Sequence, residues 1–189
     1  MTIETLEKEL KEGKLNEIYL FYGEETYLID TALKKIKNLF GELVKGINDI
    51  EINDTNIEGL ISNLQTPCFG YPQKLIIVKN VGLFKREIKK KGANFADTRD
   101  KICEYLKENS DIIKSDNILI FIEESVDKGK MLSCLEEIGA NICNFEHQKL
   151  PNLVARLKAI CKAYKVNIED STLRYFIECV RKQYARFNK

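Results

Sequence analysis

The sequence has one histidine, His147, and none of its six cysteines (68, 103, 134, 143, 161 and 179) forms a C-x-x-C pair. Zinc sites draw on closely spaced Cys and His, so no metal site is expected. Most of these cysteines fall inside apolar patterns, and reduced, buried thiols in a cytoplasmic protein are the simple reading. No apolar run approaches the roughly 20 residues that span a bilayer, and Met1-Thr2-Ile3-Glu4 does not read as a signal peptide. Neither membrane insertion nor export is expected. Signatures of common enzymes are missing too: there is no G-x-G-x-x-G, no H-E-x-x-H and no Ser-His-Asp pattern. The only prolines are Pro67, Pro72 and Pro151, and two of them crowd into one short connection.

What is present suits a globular chain. It has 189 residues, 44% hydrophobic and 31% charged, enough for one ordinary domain and a small second one. The net charge of +1 is unevenly spread. Residues 149–189 hold ten Lys/Arg against three acids, a net +7, which leaves −6 for residues 1–148. The change of sign places a domain boundary near Pro151, giving domains 1–148 and 149–189. The basic part could face nucleic acid or an acidic partner; a solvated helix face explains it equally well.

Along the chain, strands and helices alternate. Residues 2–13 read as a short amphipathic helix capped by Thr2 and ended by Gly13. Residues 17–22, 74–80 and 117–123 are continuous apolar strands, the pattern of strands buried on both faces of a parallel sheet. Residues 48–53 and 141–145 are weaker strands. Helices are expected over 28–40, 57–65, 98–108 and 130–138, and 84–91 is a basic loop or frayed helix. This alternation predicts an α/β parallel sheet with helices on both faces. From Pro151 the pattern is purely helical, a small appendage.

Gln65-Thr66-Pro67-Cys68-Phe69-Gly70-Tyr71-Pro72 joins a helix to a strand. Pro67, Gly70 and Pro72 stop the helix and delay the strand. Phe69 and Tyr71 are therefore aromatics on a short, stiff connection. Such a residue either folds back onto the core or stands out as an anchor for another protein, where aromatics dominate binding. The residues alone leave both open.

Gly23-Glu24-Glu25-Thr26 lies where a nucleotide-binding domain carries its phosphate loop. That loop needs several glycines, a Lys and a Ser/Thr. Here there is one glycine and no lysine before Lys34. Glu24 and Glu25 put negative charge where phosphate would sit. The third strand ends Val78-Lys79-Asn80, without the acidic pair an ATPase needs for metal and water. The architecture resembles a P-loop protein whose chemistry is absent, so no cofactor is expected. Glu136 and Glu137 are adjacent on a helix and do not share a face. Glu123 and Glu124 have no evident partner, and His147 sits at the domain boundary.

The run Ile18-Tyr-Leu-Phe-Tyr-Gly-Glu-Glu-Thr-Tyr-Leu-Ile29 resembles the N-terminal signature of the delta subunit of the bacterial DNA polymerase III clamp loader. So does Leu64-Gln-Thr-Pro-Cys-Phe-Gly-Tyr-Pro-Gln-Lys-Leu-Ile-Ile-Val-Lys-Asn80. The resemblance runs over nearly the whole chain. It implies a P-loop NTPase-like (AAA+-like) fold without a working nucleotide site, followed by a small helical domain. It implies a non-catalytic subunit of a DNA-directed DNA polymerase complex. Its partners would be the sliding clamp (beta subunit), the gamma/tau and delta-prime subunits, and primed DNA inside the assembled loader. Family members insert the loop before the third strand into a hydrophobic pocket of the clamp and open the ring. The matching positions are Gln65, Pro67, Cys68 and Phe69. Cys68 stands where a larger aliphatic residue is usual, a difference of about 1 kcal/mol of burial, so Phe69 would carry most of the contact. The family's third, collar domain would lie beyond Lys189, and the second domain is expected to be incomplete here. Lys85, Arg86, Lys89, Lys90 and Lys91 are candidate contacts to DNA or a neighbouring subunit. Two other readings remain beside this one: a P-loop-type nucleotide-hydrolysing enzyme, and a basic nucleic-acid-binding module.

Overall fold

The computed structural model describes the backbone of residues 1–86 and 92–187, and the side chains of 1–86 and 95–180. Its elements, in chain order, are α1 (Ile3–Lys11), β1 (Ile18–Tyr22), α2 (Thr26–Phe40), β2 (Asp49–Ile52), a 3-10 turn (Ile57–Gly59), α3 (Leu60–Gln65) and β3 (Lys74–Lys79). Then come α4 (Gly92–Glu108), α5 (Ser110–Asp116), β4 (Asn117–Glu123), α6 (Lys130–Glu137), β5 (Asn141–Asn144), α7 (Leu150–Ala163) and α8 (Asp170–Phe187). The chain divides into two compact units, residues 1–146 and 147–189, two residues before the division expected from charge.

In the first unit the five strands form one sheet in the order β2-β3-β4-β1-β5, and every pairing is parallel. This is the P-loop NTPase-like arrangement. β4 is buried along its full length and β3 along all but its last residue, because each has a strand on both sides and helices above and below. Alternation splits the strands between two cores. Ile76, Val78, Leu119 and Phe121 face Leu60, Leu64, Ile102, Met131 and Leu135 of α3, α4 and α6. Leu75, Ile77, Ile118 and Ile120 face Leu6, Leu10, Ile29 and Ile36 of α1 and α2. Each fully buried Ile or Leu contributes about 1.5–3 kcal/mol, so these two layers hold the sheet ends in place.

Thr2 caps α1 as its position suggests, accepting the Thr5 N–H at 3.2 Å. α4, expected over 98–108, begins at Gly92; a glycine there reads as a break but sits at the first helical position. α5 has no counterpart in the sequence reading. Ile113 is buried and its neighbour Ile112 is exposed, so seven residues carry no apolar stripe to reveal a helix. Of the basic stretch 84–91, residues 87–91 lie outside the described residues.

The second unit is the helix pair α7 and α8. Pro151 lies in the first turn of α7, where its missing N–H has no helical partner to lose. Val154, Leu173 and Ile177 are buried between the helices, with Leu150, Leu153, Leu157, Cys161 and Ile168 packed around them.

Candidate functional site

α3 stops because Thr66 is held extended by the following proline (φ −75°, ψ 121°). Its N–H and its hydroxyl both donate to the Ser62 carbonyl, at 3.0 and 2.7 Å. Gly70 takes a left-handed turn (φ +81°), which glycine adopts without steric cost. Between these points Phe69 is 94% exposed. Gln65 and Pro67 are exposed beside it, whereas Cys68 and Tyr71 are half-buried. The two aromatics therefore part: Tyr71 is half-buried and Phe69 stands out.

The loop is tied to the body at several points. The Cys68 thiol donates to the Ile47 carbonyl at 3.7 Å. The Gln73 amide donates to the Ser115 carbonyl of α5 at 3.0 Å. The Lys74 ammonium donates to the carbonyls of Asn63 and Thr66. Lys74 is only 4% exposed, and burial holds its pKa below the ordinary lysine value, with Cys68 and Asp116 acting the other way.

The turn after β1 lies at the opposite, C-terminal end of the parallel strands. Gly23 (φ +126°) lies so close to the Phe145 carbonyl that a Cβ there would collide with it. The Gly23 N–H donates to the Glu123 carbonyl (3.3 Å), the Glu25 N–H to the Phe145 carbonyl (3.1 Å) and the Thr26 N–H to the Glu24 carbonyl (3.0 Å). Phe145 returns a 2.6 Å bond from its own N–H to Tyr22. In a phosphate loop such N–H groups point at the anion; at 23, 25 and 26 they are spent on carbonyls.

Lys85 and Arg86 are bound to the segment after β4. The Lys85 ammonium pairs with Ser125. The Arg86 N–H meets the Asp127 carboxylate at 2.8 Å and its Nε donates to the Lys128 carbonyl at 2.9 Å. Lys89, Lys90 and Lys91 lie outside the described residues. Glu123 is buried and accepts the Gly82 N–H at 2.8 Å, which fixes the turn after β3. Among the described residues no group of three Cys, His, Asp or Glu could hold a metal ion.

A family model described as DNA polymerase III, delta subunit, matches residues 19–147. The chain belongs to the DNA polymerase III delta-subunit family. A probable DNA polymerase III subunit delta of Aquifex aeolicus is 24% identical over 168 residues, covering 85% of this chain and 44% of the relative. The solved Bacillus subtilis DNA clamp loader delta protein superposes with a TM-score of 0.70 at 18% identity, over 93% of this chain and 51% of that one; it shares the fold. AMPPCP-bound DnaA of Aquifex aeolicus gives a TM-score of 0.49 at 14% identity, over 93% and 54%. This delta-family chain thus spans about half the length of the relatives it matches.

Two residues beneath the loop carry no sequence signal. Lys74 and Asn117 are register partners at the first positions of β3 and β4, and both are buried. A strand that opens on a lysine reads as one whose charge is in water. Only the placement of α3 over that end of the sheet turns the Lys74 side chain inward.

Proposed function

We propose that this delta-family chain binds the sliding clamp through Phe69 and shifts the ring toward an open state, so that it can be placed on DNA during replication. The observation that carries this reading is Phe69 itself, 94% exposed on a loop tethered on either side. Exposing a whole phenyl ring forfeits about 1.5–3 kcal/mol of burial, and a stiff loop recovers that on docking with little ordering cost. Gln65, Pro67 and Cys68 flank the ring and complete the peptide that enters the clamp pocket. Opening a ring by binding requires higher affinity for the open form than for the closed one, so Phe69 serves as the anchor of a strained complex.

In this reading residues 1–148 are an AAA+-like domain that does not use nucleotide. The N–H groups spent at 23, 25 and 26, and the carboxylates of Glu24 and Glu25 at the start of α2, support that. Residues 149–189 form a lid-like helical domain. The chain acts in the cytoplasm with gamma/tau and delta-prime subunits and primed DNA, and it contributes no catalytic residue of its own. Lys85, Arg86 and the basic residues that follow them in sequence are candidate contacts to DNA or a neighbouring subunit.

Binding to the cognate clamp, wild type beside Phe69→Ala, tests the contact. The expected result is a loss of about one to three powers of ten in affinity, about 1.4 kcal/mol for each. Tight binding that the substitution leaves unchanged would move the contact elsewhere.

A further inference from the structure

Pro67, Gly70 and Pro72 stiffen the loop, but its direction relative to the domain is set by tethers to the body, among them the Lys74 ammonium. Lys74 begins β3, and its side chain shares the sheet face of Ile76 and Val78, the face that α3 covers through Leu60 and Leu64. From there the ammonium reaches the carbonyls of Asn63 and Thr66, groups at the C-terminal end of α3 that the helix itself leaves without N–H partners. A cation at a helix C-terminus also meets the negative end of its dipole. The neighbouring position across the sheet is Asn117, fully buried, whose side-chain amide has no protein partner among the described residues. It leaves a second polar group on the same sheet face. Two buried polar side chains opening two central strands are costly. Their place directly under the loop gives that cost a use.

We propose that Lys74 is the positioning residue of the clamp-binding loop: its ammonium clips the end of α3 and so sets the direction in which Phe69 leaves the domain. This rests on the reading that Phe69 contacts the clamp. Lys74 itself touches no partner. It acts by keeping the loop in the docking geometry, and a loop that visits this geometry only part of the time binds more weakly by that fraction. The deficit falls on association, because the complex once formed has the same contacts.

Lys74→Met keeps the length and the apolar stem and removes the donors. Two readouts on the full chain separate the clip from the clamp reading. The first is alkylation of Cys68 by iodoacetamide, followed by peptide mass, with no clamp present. It is expected to speed up about tenfold as the loop lifts from Ile47, at a rate set by local opening. The second is clamp association, expected to slow by about tenfold with dissociation unchanged. In Lys74→Met/Phe69→Ala the losses do not add, since Lys74 acts through Phe69. An unchanged Cys68 rate in folded Lys74→Met overturns the clip, whatever the clamp does. A faster Cys68 rate with Phe69→Ala binding like wild type keeps the clip and overturns the clamp reading. Should Lys74→Met fail to fold, Lys74→Arg carries the test. It retains donors for both carbonyls and is expected to show the wild-type Cys68 rate; a fast rate in folded Lys74→Arg overturns the proposal.

Discussion

At the scale of the residue, burial divides like from like. Phe69 and Tyr71 are two positions apart, and Gly70 between them turns the chain; one ring faces solvent and the other is half-buried. The thiols divide in the same way. Burial pushes Cys134 up to about 12 and Cys143 up to about 11, while Cys68 is partly open on its loop. Unfolded thiols lose their protons near pH 8.5, whereas these two hold theirs in the fold. Their contribution to stability is complete below that pH and is lost as pH rises toward 11–12. Tyr19, raised by burial, acts in the same direction. The urea midpoint is therefore expected to fall between pH 9 and pH 11, and native Cys134 and Cys143 are expected to escape alkylation at pH 8.5 while Cys68 reacts. A midpoint that is flat or rises over that interval would contradict the burial of these groups.

At the scale of the element, the two ends of the sheet are built differently. The turn between β1 and α2 is closed, with the N–H groups of Gly23, Glu25 and Thr26 bonded to carbonyls and Gly23 pressed against Phe145. Gly23→Ala places a Cβ into that carbonyl at a backbone angle unfavourable for alanine. It is expected to cost about 1–3 kcal/mol, read as a lower urea midpoint. An unchanged midpoint would mean that the close approach is not kept in solution.

Legibility follows from the same physics. The strands 117–123 and 74–80 were readable because burial on both faces demands an unbroken apolar run, and the tight turn at 23–26 because a glycine follows the apolar strand just before a helical pattern begins. The outward direction of Phe69 was not readable, since an aromatic on a stiff loop fits either fate until α3 and β3 fix the loop's ends. Lys74 was hidden for a related reason: its inward reach depends on a helix packed over it. α5 gave no periodic signal, because one buried isoleucine does not make a stripe.

At the scale of the molecule, the chain has two compact units and belongs to the DNA polymerase III delta-subunit family. The sheet unit presents Phe69, the most exposed of its described large apolar side chains, at the N-terminal ends of the strands, away from the closed turn at the C-terminal ends. The basic helix pair forms a separate unit with a small core of its own. In the proposed function the chain acts by binding, and work done on a ring by a binder comes from a preference for one ring state. The most direct measurement is release of the closed cognate clamp from circular DNA, with this chain added at a concentration that saturates the clamp. Wild type is expected to accelerate release, and Phe69→Ala is expected not to. Saturating, Phe69-dependent binding with no acceleration of release would contradict ring opening and leave a clamp-binding module.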